Sequence, residues 1–225
     1  MRAEDHKMIA YQALIVAAGA GTRSGLDHNK NLHPLKGRPL LLYSVETFLK
    51  DTDCQGVIVV CPETETKAFA EALEGKSILI PGGSTRQQSV RLGLAAVTTK
   101  YVFIHDGSRP NLKSEAIMRL KRELRKHDAL TLAIPVKDTL KTVSMNMVTG
   151  DVPRDTTVMI QTPQAFRSDK IKLAHELAAR QEHEFSDDSS LIQHELRETV
   201  RIVPGDDDNI KATTKADFTI LEALL

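Results

Sequence analysis

Short apolar runs alternate with longer segments of helical periodicity along most of this 225-residue sequence. The runs are typical of strands covered on both faces, because such strands need no polar face. The longer segments place apolar residues at intervals of three and four, which indicates amphipathic helices. Predicted strands cover residues 13–18, 56–61, 77–80, 101–105 and 129–135, and predicted helices cover residues 40–49, 64–73, 85–97 and 114–126. The alternation predicts an α/β fold, a Rossmann-like, mostly parallel sheet with helices on both faces and ligands outside the carboxyl ends of its strands.

Residues 137–161 interrupt this alternation with two polar, β-rich stretches around Thr149-Gly150-Asp151, which predict a hairpin. Their polarity indicates an exposed arm rather than core. Beyond them the sequence predicts helices at 168–181 and 187–197, a strand at 200–204 and a last helix from Lys215. We expect a single domain over residues 1–225, with a β-arm at about 137–160.

The charge balance restricts the classes of partner. The sequence contains thirty basic and thirty acidic side chains. Binding to nucleic acid or to a membrane surface usually needs a basic excess. Residues 1–12 carry mixed charges and no apolar core of signal-peptide length, and no later run reaches the length of a membrane span. We therefore expect a cytoplasmic protein that binds neither nucleic acid nor membranes.

The loop after the first predicted strand reads Ala17-Ala18-Gly19-Ala20-Gly21-Thr22-Arg23-Ser24, and Lys30 follows. Closely spaced glycines let backbone N–H groups approach a phosphate. Ser24 stands where the dinucleotide-binding fingerprint needs its third glycine, and the Gly-Lys-Ser/Thr of a P-loop is absent. Two cations, Arg23 and Lys30, remain at a spacing that lets both face one anion. A nucleoside triphosphate attacked at its α-phosphate is such an anion.

Six motifs in this order resemble those of the 2-C-methyl-D-erythritol 4-phosphate cytidylyltransferases and, more distantly, of the ribitol-5-phosphate cytidylyltransferases. The resemblance covers nearly the whole chain and implies a fold of the nucleotide-diphospho-sugar transferase type. The motifs are the first loop with Lys30, then Gly82-Gly83-Ser84-Thr85-Arg86-Gln87-Gln88-Ser89-Val90, His105-Asp106-Gly107-Ser108-Arg109-Pro110, Pro135-Val136-Lys137-Asp138-Thr139-Leu140-Lys141, Gln161-Thr162-Pro163-Gln164-Ala165-Phe166, and Asn209-Ile210-Lys211.

The resemblance also implies roles for residues at matching positions. The residues implied in catalysis are the cations Arg23, Lys30 and Lys211. CTP is bound by Ala17, Ala18, Gly19, Gly21, Gly83, Ser84, Ser89, Asp106 and Gly107, and Asp106 also holds Mg²⁺. The acceptor, a small sugar- or polyol-phosphate, is bound by Arg109, Thr139, Arg154, Thr162 and Lys211. Because Arg154 lies on the predicted arm, the resemblance implies a homodimer in which the arm reaches the partner's site.

The implied reaction is an in-line attack of an acceptor phosphate oxygen on the CTP α-phosphorus, which needs no protein nucleophile and no general base. Three functions stay open: the methylerythritol phosphate enzyme, the ribitol phosphate enzyme, and a non-catalytic nucleotide-binding protein. The third is motivated by Ser24, Asn29 and Asn31, which replace the residues usual in the family's loop.

Other polar residues favour structural interpretations. His105 ends a buried strand, where a histidine is usually a hydrogen-bonded structural residue. Asp187 and Asp188 precede a predicted helix and are interpreted as caps. The run Asp206-Asp207-Asp208 is typical of a solvated loop rather than of a metal site.

Overall fold

The computed structural model describes residues 9–19, 25–26 and 28–225. The strands are β1 (Tyr11–Val16), β2 (Pro34–Leu35), β3 (Arg38–Pro39), β4 (Cys54–Cys61), β5 (Ile78–Pro81), β6 (Tyr101–Asp106), β7 (Ala129–Pro135), β8 (Leu140–Ser144), β9 (Met147–Val152), β10 (Val158–Arg167) and β11 (Arg201–Pro204). The α-helices are α1 (Leu40–Leu49), α2 (Thr66–Leu73), α3 (Arg86–Ala95), α4 (Ser114–Glu123), α5 (Ser168–Gln181), α6 (Asp188–Leu196) and α7 (Lys215–Leu224).

Seven strands form the central sheet in the order β11-β7-β10-β6-β1-β4-β5. All neighbouring pairs are parallel except those of β10, which runs antiparallel to both β6 and β7. This confirms the mostly parallel sheet. The sequence did not predict β10 as a strand of the sheet, because its buried polar residues Gln161, Thr162 and Gln164 break the apolar run by which the other strands are recognised.

The alternation of side chains along the strands builds a hydrophobic core on each face of the sheet. In β1, Ala13 and Ile15 pack with α1, α2 and α4, whereas Leu14 packs on the other face with α3, α5 and α6. This is the period of two that a strand imposes. Because both faces are buried, the strands contain continuous apolar runs, as the sequence predicted.

The arm consists of β8 and β9, which form a separate two-stranded antiparallel sheet. Its turn is at Met145 and Asn146, whose φ angles of 46° and 62° are left-handed. The prediction of a turn around Thr149-Gly150-Asp151 was therefore wrong, and those residues lie within β9. Asparagine tolerates the left-handed region better than most residues, which suits Asn146 to a two-residue turn.

No helix in the described ranges is long and apolar enough to cross a membrane.

Candidate active site

A cavity of about 400 Å³ lies at the carboxyl ends of β1 and β6, beside the turn between β5 and α3. Backbone hydrogen bonds hold these ends together: Gly107 N donates to Val16 O at 2.9 Å, and Gly82 N donates to Cys61 O at 2.8 Å. Separate stretches of the sequence thus converge on one site, which extends to Thr213 beyond Lys211. The predicted residues that line the cavity are Ala17, Ala18, Gly19, Lys30, Gly83, Ser84, Ser89, Asp106 and Lys211.

The second glycine turn is held from within by side-chain oxygens. Ser89 Oγ accepts a hydrogen bond from Gly83 N at 3.1 Å and donates to Thr85 O at 2.9 Å. Gln88 Oε1 accepts from both the backbone N and the hydroxyl of Ser84, at 2.8 and 2.9 Å. Because Ser89 is only 1% exposed, it fixes the shape of the turn more than it offers its hydroxyl to a ligand.

Close approach to a fixed atom explains Gly82, whereas Gly83 approaches only the flexible side chain of Gln88. A Cβ on Gly82 would lie 2.4 Å from the Ala18 Cβ, and one on Gly83 would lie 2.4 Å from the Gln88 Cδ. The first contact joins the two glycine-containing loops directly. Only a residue without a side chain lets the loops meet there.

The side-chain amides of Asn29 and Asn31 form hydrogen bonds that hold the turn around Lys30. Asn29 Oδ1 accepts from Asn31 N and Asn31 Nδ2, each at 3.0 Å, and Asn31 Nδ2 also donates to Ala17 O at 3.1 Å. Asn29 Nδ2 donates to Glu65 Oε2 at 2.8 Å. These bonds connect the Lys30 turn to the first loop, so the two departures from the family pattern leave this cation in the site.

Lys211 reaches the cavity because the segment before α7 is tied over the end of β6. Asn209 Nδ2 donates to Thr162 O at 2.9 Å, and Ala212 N donates to Ser108 O at 2.8 Å. The Lys30 ammonium donates to Ala212 O at 2.9 Å. The Lys30 side chain is therefore tied to the backbone of the residue that follows Lys211, which keeps the two predicted catalytic lysines on the same side of the cavity.

Asp106 is surrounded by cations. Lys211 Nζ lies 2.8 Å from Asp106 Oδ2, Arg86 Nε lies 3.4 Å from Oδ1, and Arg109 Nε lies 3.8 Å from Oδ2. Burial alone would raise the pKa of this carboxyl, but Arg86, Lys211 and Arg109 hold the pKa far below its usual range. Asp106 is therefore a carboxylate at every physiological pH.

Arg86 is a cavity residue to which the sequence assigned no role, although it stands inside a quoted motif. Its Nη2 donates to Asp188 Oδ2 at 2.8 Å, and Asp188 Oδ1 lies 3.1 Å from His175 Nε2. Burial lowers the pKa of Arg86, and the attraction of Asp188 and Asp106 outweighs it, so the net shift is upward. The arginine is held in place as a permanent cation.

The two neighbouring aspartates before α6 have different roles. Asp187 is the N-cap, and its Oδ1 accepts from Ser190 N at 3.1 Å, which confirms the prediction for that residue. The prediction was wrong for Asp188, which is 1% exposed and faces Arg86 and His175 instead of capping the helix. A cap is recognised from local sequence, whereas the partner of Asp188 is brought to it by the packing of α6.

Arg109 and Thr162, predicted to bind the acceptor, lie behind the cavity rather than among its lining residues. Arg109 Nη1 donates to Asn209 O at 2.7 Å, and its side chain is 12% exposed. Thr162 is 5% exposed, and its Oγ1 accepts from Asp106 N at 3.0 Å. In the chain as it stands, both side chains position Asp106 and Asn209.

The contacts of His105 confirm that it is a hydrogen-bonded structural residue. Its Nε2 lies 3.0 Å from Arg109 O and its Nδ1 lies 3.1 Å from Thr162 Oγ1, while burial lowers its pKa to about 4. The neutral ring protonated at Nε2 satisfies both contacts, because Nε2 then donates to the carbonyl and Nδ1 accepts from the threonine hydroxyl. This chain of bonds ends at the backbone N of Asp106.

The remaining predicted site residues lie elsewhere. Thr139 and Arg154 are exposed at the base of the arm and do not line the cavity, and Arg154 Nη1 donates to Lys137 O at 3.2 Å. Gly107 is not among the residues that line the cavity, and a Cβ there would meet Asn31 Oδ1 at 3.0 Å. Gly21 and Arg23 fall outside the described residues.

The acidic run forms ion pairs, as expected for a solvated loop. Asp206 pairs with Arg119 at 2.6 Å, Asp207 with Lys137 at 2.9 Å and Asp208 with Lys113 at 2.5 Å. Asp106 is thus the single carboxylate among the described residues that line the cavity. An ionised carboxylate in the wall of a cavity fits Mg²⁺, which is usually bound by one or two carboxylates together with substrate phosphates and water.

This chain is similar to known proteins over nearly its whole length. The sequence model of the 2-C-methyl-D-erythritol 4-phosphate cytidylyltransferase family matches residues 11–225. Proteins of that name from Geotalea uraniireducens and Shouchella clausii are 37% and 38% identical, with 95% and 96% of this chain and equal shares of theirs covered. The crystal structure of the protein of that name from Thermus thermophilus has a TM-score of 0.82 at 31% identity, covering 96% of this chain and 98% of its own. That of 4-diphosphocytidyl-2C-methyl-D-erythritol synthase from Anaerococcus prevotii also has a TM-score of 0.82, at 30% identity over 96% of this chain and 97% of its own. With matches of this extent in sequence and in structure, this chain belongs to the 2-C-methyl-D-erythritol 4-phosphate cytidylyltransferase family.

Proposed function

We propose that this protein transfers CMP from CTP to 2-C-methyl-D-erythritol 4-phosphate, releasing pyrophosphate and forming 4-diphosphocytidyl-2-C-methyl-D-erythritol for non-mevalonate isoprenoid biosynthesis. The observation that carries the proposal is the charge of the cavity in a chain of this family. Among its described lining residues, Lys30, Arg86 and Lys211 are cations and Asp106 is the one anion, a net charge of +2. Such a site suits a triphosphate and a phosphate brought together.

The chemistry needs positioning and charge stabilisation more than proton transfer. An oxygen of the acceptor phosphate attacks the α-phosphorus of CTP, and the bond to the bridging oxygen of pyrophosphate breaks. Lys30 and Lys211 face the space in which both phosphates must meet, and they stabilise the charge that develops on the equatorial oxygens. The backbone groups of Ala17, Ala18 and Gly19 line the same wall. Arg23 and Gly21 keep their roles in this proposal as predictions from the sequence.

Asp106 is the residue that would hold Mg²⁺ in this proposal. The ion, when bound, would supply positive charge that offsets the negative charge of the phosphates. Lys211 Nζ lies 2.8 Å from Asp106 Oδ2, and Arg86 Nε lies 3.4 Å from Asp106 Oδ1. These cations keep the carboxylate ionised and oriented toward the cavity before any ligand arrives.

A homodimer is part of the proposal because the arm exposes apolar surface. Val143, Met145, Met147 and Val148 are 68%, 96%, 69% and 66% exposed. Four such side chains on one hairpin are typical of a surface that another protein covers. Contact with a second copy of the chain would also bring Thr139 and Arg154, exposed beside the arm, to the partner's acceptor site. The predicted cytoplasmic location stays a prediction.

The test offers CTP with either 2-C-methyl-D-erythritol 4-phosphate or ribitol 5-phosphate to the purified protein and measures pyrophosphate release. We expect turnover with the first acceptor, in Mg²⁺, and its loss when EDTA removes the metal. Turnover of ribitol 5-phosphate alone would assign the protein to the other cytidylyltransferase. Binding of CTP without turnover of either acceptor would favour the non-catalytic protein.

A further inference from the structure

We propose that His183, His194 and Glu195 form a binding site for a divalent transition-metal ion of the zinc type. Glu195 Oε1 lies 2.8 Å from His183 Nδ1 and 3.2 Å from His194 Nδ1. One ligand atom from each of the three residues lies within 4.8 Å of the other two. Within residues 9–19, 25–26 and 28–225, no other trio of histidine, cysteine, aspartate or glutamate meets that criterion.

The spacing of the donor atoms is close to that of a metal's ligands. Zinc holds imidazole nitrogen and carboxylate oxygen at about 2.0–2.1 Å, so neighbouring ligands of a tetrahedral ion are about 3.3 Å apart. The two nitrogen–oxygen distances at Glu195, 2.8 and 3.2 Å, need only small side-chain rotations to reach that value. Two imidazoles and one carboxylate form a ligand set known for zinc, with a fourth position for water.

Neighbouring side chains hold these donors in place. The second carboxylate oxygen of Glu195 accepts from Gln181 Nε2 at 3.2 Å, and the Glu195 side chain is 2% exposed. The ring of Phe185 packs against both imidazoles, at 6.2 Å from His183 and 5.1 Å from His194 between ring centroids. Partners of this kind orient the ligands of metal sites.

The imidazoles leave an open side for the ion and its water. The His183 and His194 side chains are 40% and 49% exposed, in contrast to the carboxylate between them. Imidazole nitrogen favours zinc, copper and nickel, whereas Mg²⁺ and Ca²⁺ prefer oxygen ligands only. The ion that Asp106 would hold is therefore a poor competitor here.

The site is connected to the start of α3, next to Arg86. Gln87 Nε2 donates to His183 O at 2.8 Å, and Gln87 Oε1 accepts from Phe185 N at 2.8 Å. An ion bound to His183 and to α6 would thus fix the position of the segment that follows α5. That segment contacts the helix whose first residue, Arg86, lines the cavity.

The alternative to a metal is a hydrogen-bonded cluster, in which each imidazole donates from Nδ1 to Glu195. In a metal complex each Nδ1 would instead offer its lone pair to the ion, with the ring proton on Nε2. The two arrangements are distinguished by whether an added metal ion binds to these three side chains.

The experiment titrates Zn²⁺ into the chelator-treated protein without CTP and measures binding by calorimetry. The cobalt complex, formed with Co²⁺ as a probe, is followed by visible absorption. Variants are His194→Ala and Glu195→Gln. The matched controls are His127→Ala, which removes another exposed histidine beside a glutamate, Glu123, at 3.9 Å, and His28→Ala, which breaks the close pair of His28 with His33.

We expect one zinc per wild-type chain at this site and a Tm raised by about 5 °C in excess zinc. His194→Ala and Glu195→Gln should each weaken this binding at least about tenfold, and neither control should change it. Absence of zinc binding, or binding that both site variants leave unchanged, would overturn the proposal. The measurements involve no turnover, so their outcome is independent of the proposed cytidylyl transfer.

Discussion

Arg86 donates a hydrogen bond from Nη2 to Asp188 Oδ2 at 2.8 Å, across 102 positions of the sequence. Asp188 is 1% exposed, and Arg86 is the cavity residue that this contact orients. The pair connects α6 to the cavity that Arg86 lines. Its buried geometry makes it a strong target for mutation, because removal of one partner leaves the other charge unpaired.

Replacement of Asp188 by asparagine should lower the free energy of unfolding by about 3 kcal/mol, the usual cost of breaking a buried ion pair. The same change should reduce kcat/KM for CTP at least about tenfold, since a misplaced charge-stabilising cation costs that much or more. Urea unfolding and pyrophosphate release measure the two effects. The matched control is Asp169→Asn, which removes a 61% exposed partner of Arg167 and should cost below about 1 kcal/mol with activity unchanged. Equal stabilities of D188N and D169N would contradict this role for the pair.

Replacement of Lys211 by methionine should reduce kcat by about 100-fold while leaving the fold intact. Asp106 would keep Arg86 and Arg109 as cationic neighbours, and the Lys211 side chain is already 39% exposed, so little stability depends on it. Steady-state kinetics and thermal unfolding of the same preparation check both statements. Lys126→Met, a change at an exposed residue outside the cavity, should retain wild-type kinetics. A kcat within about twofold of wild type in K211M would remove Lys211 from the catalytic residues.

Replacement of Gly82 by alanine should destabilise the protein by about 1–3 kcal/mol, because the new methyl would lie 2.4 Å from the Ala18 Cβ between two fixed loops. The comparison is Gly19→Ala, where a Cβ would meet no atom of the described residues within 4 Å and stability should be unchanged. Urea unfolding of both variants measures the difference. Similar stabilities would show that the two glycine loops can separate at little cost.

Acid should destabilise the protein through His105 well before its carboxylates protonate. The folded-state pKa of His105 is about 4, whereas an unfolded histidine has a pKa of about 6.5. Between these values the unfolded state binds the extra proton, so the stabilising contribution is complete above about pH 6.5 and is lost as the pH falls toward about 4. From about pH 7.5 to about pH 4.5 this loss amounts to about 2.5 kcal/mol.

The His105→Gln variant isolates this effect. Glutamine can still donate to Arg109 O, but it does not titrate. The unfolding free energy of this variant should therefore fall less than that of the wild type between about pH 7.5 and about pH 4.5. If both proteins lose the same free energy, the imidazole is not the group that titrates.

Replacement of Met147 by lysine should convert the predicted dimer to monomers, because a charge would replace a 69% exposed apolar side chain on the arm. Activity should fall with it if Thr139 and Arg154 act in the partner's site. Light scattering at micromolar protein concentration measures the mass. The control is Leu173→Lys on α5, where a 51% exposed leucine lies away from the arm and the mass should not change. A monomeric wild-type protein would refute the dimer.

The local sequence predicted most elements because their signals are local. The helix of residues 168–181 is α5 as predicted, and the last helix begins at Lys215. Apolar periodicity is a property of neighbouring residues, so no tertiary contact is needed to recognise it. Strand β10 was missed because Gln161, Thr162 and Gln164 are satisfied by distant partners, among them Asp187 and Asn209.

What the sequence by itself determined is the mostly parallel α/β sheet and the set of glycines and charged residues at the ends of its strands. Lys30, Asp106 and Lys211 could be named from their motifs, since each motif is a short run of residues. Only the tertiary structure decided their partners. Arg86 lines the cavity and pairs with Asp188, which is therefore a counter-ion and not a helix cap. Arg109 and Thr162 lie behind Asp106 and hold the site in position. The physical reason is that a buried charge or hydroxyl must find a partner, and which partner it finds depends on how the strands and helices pack.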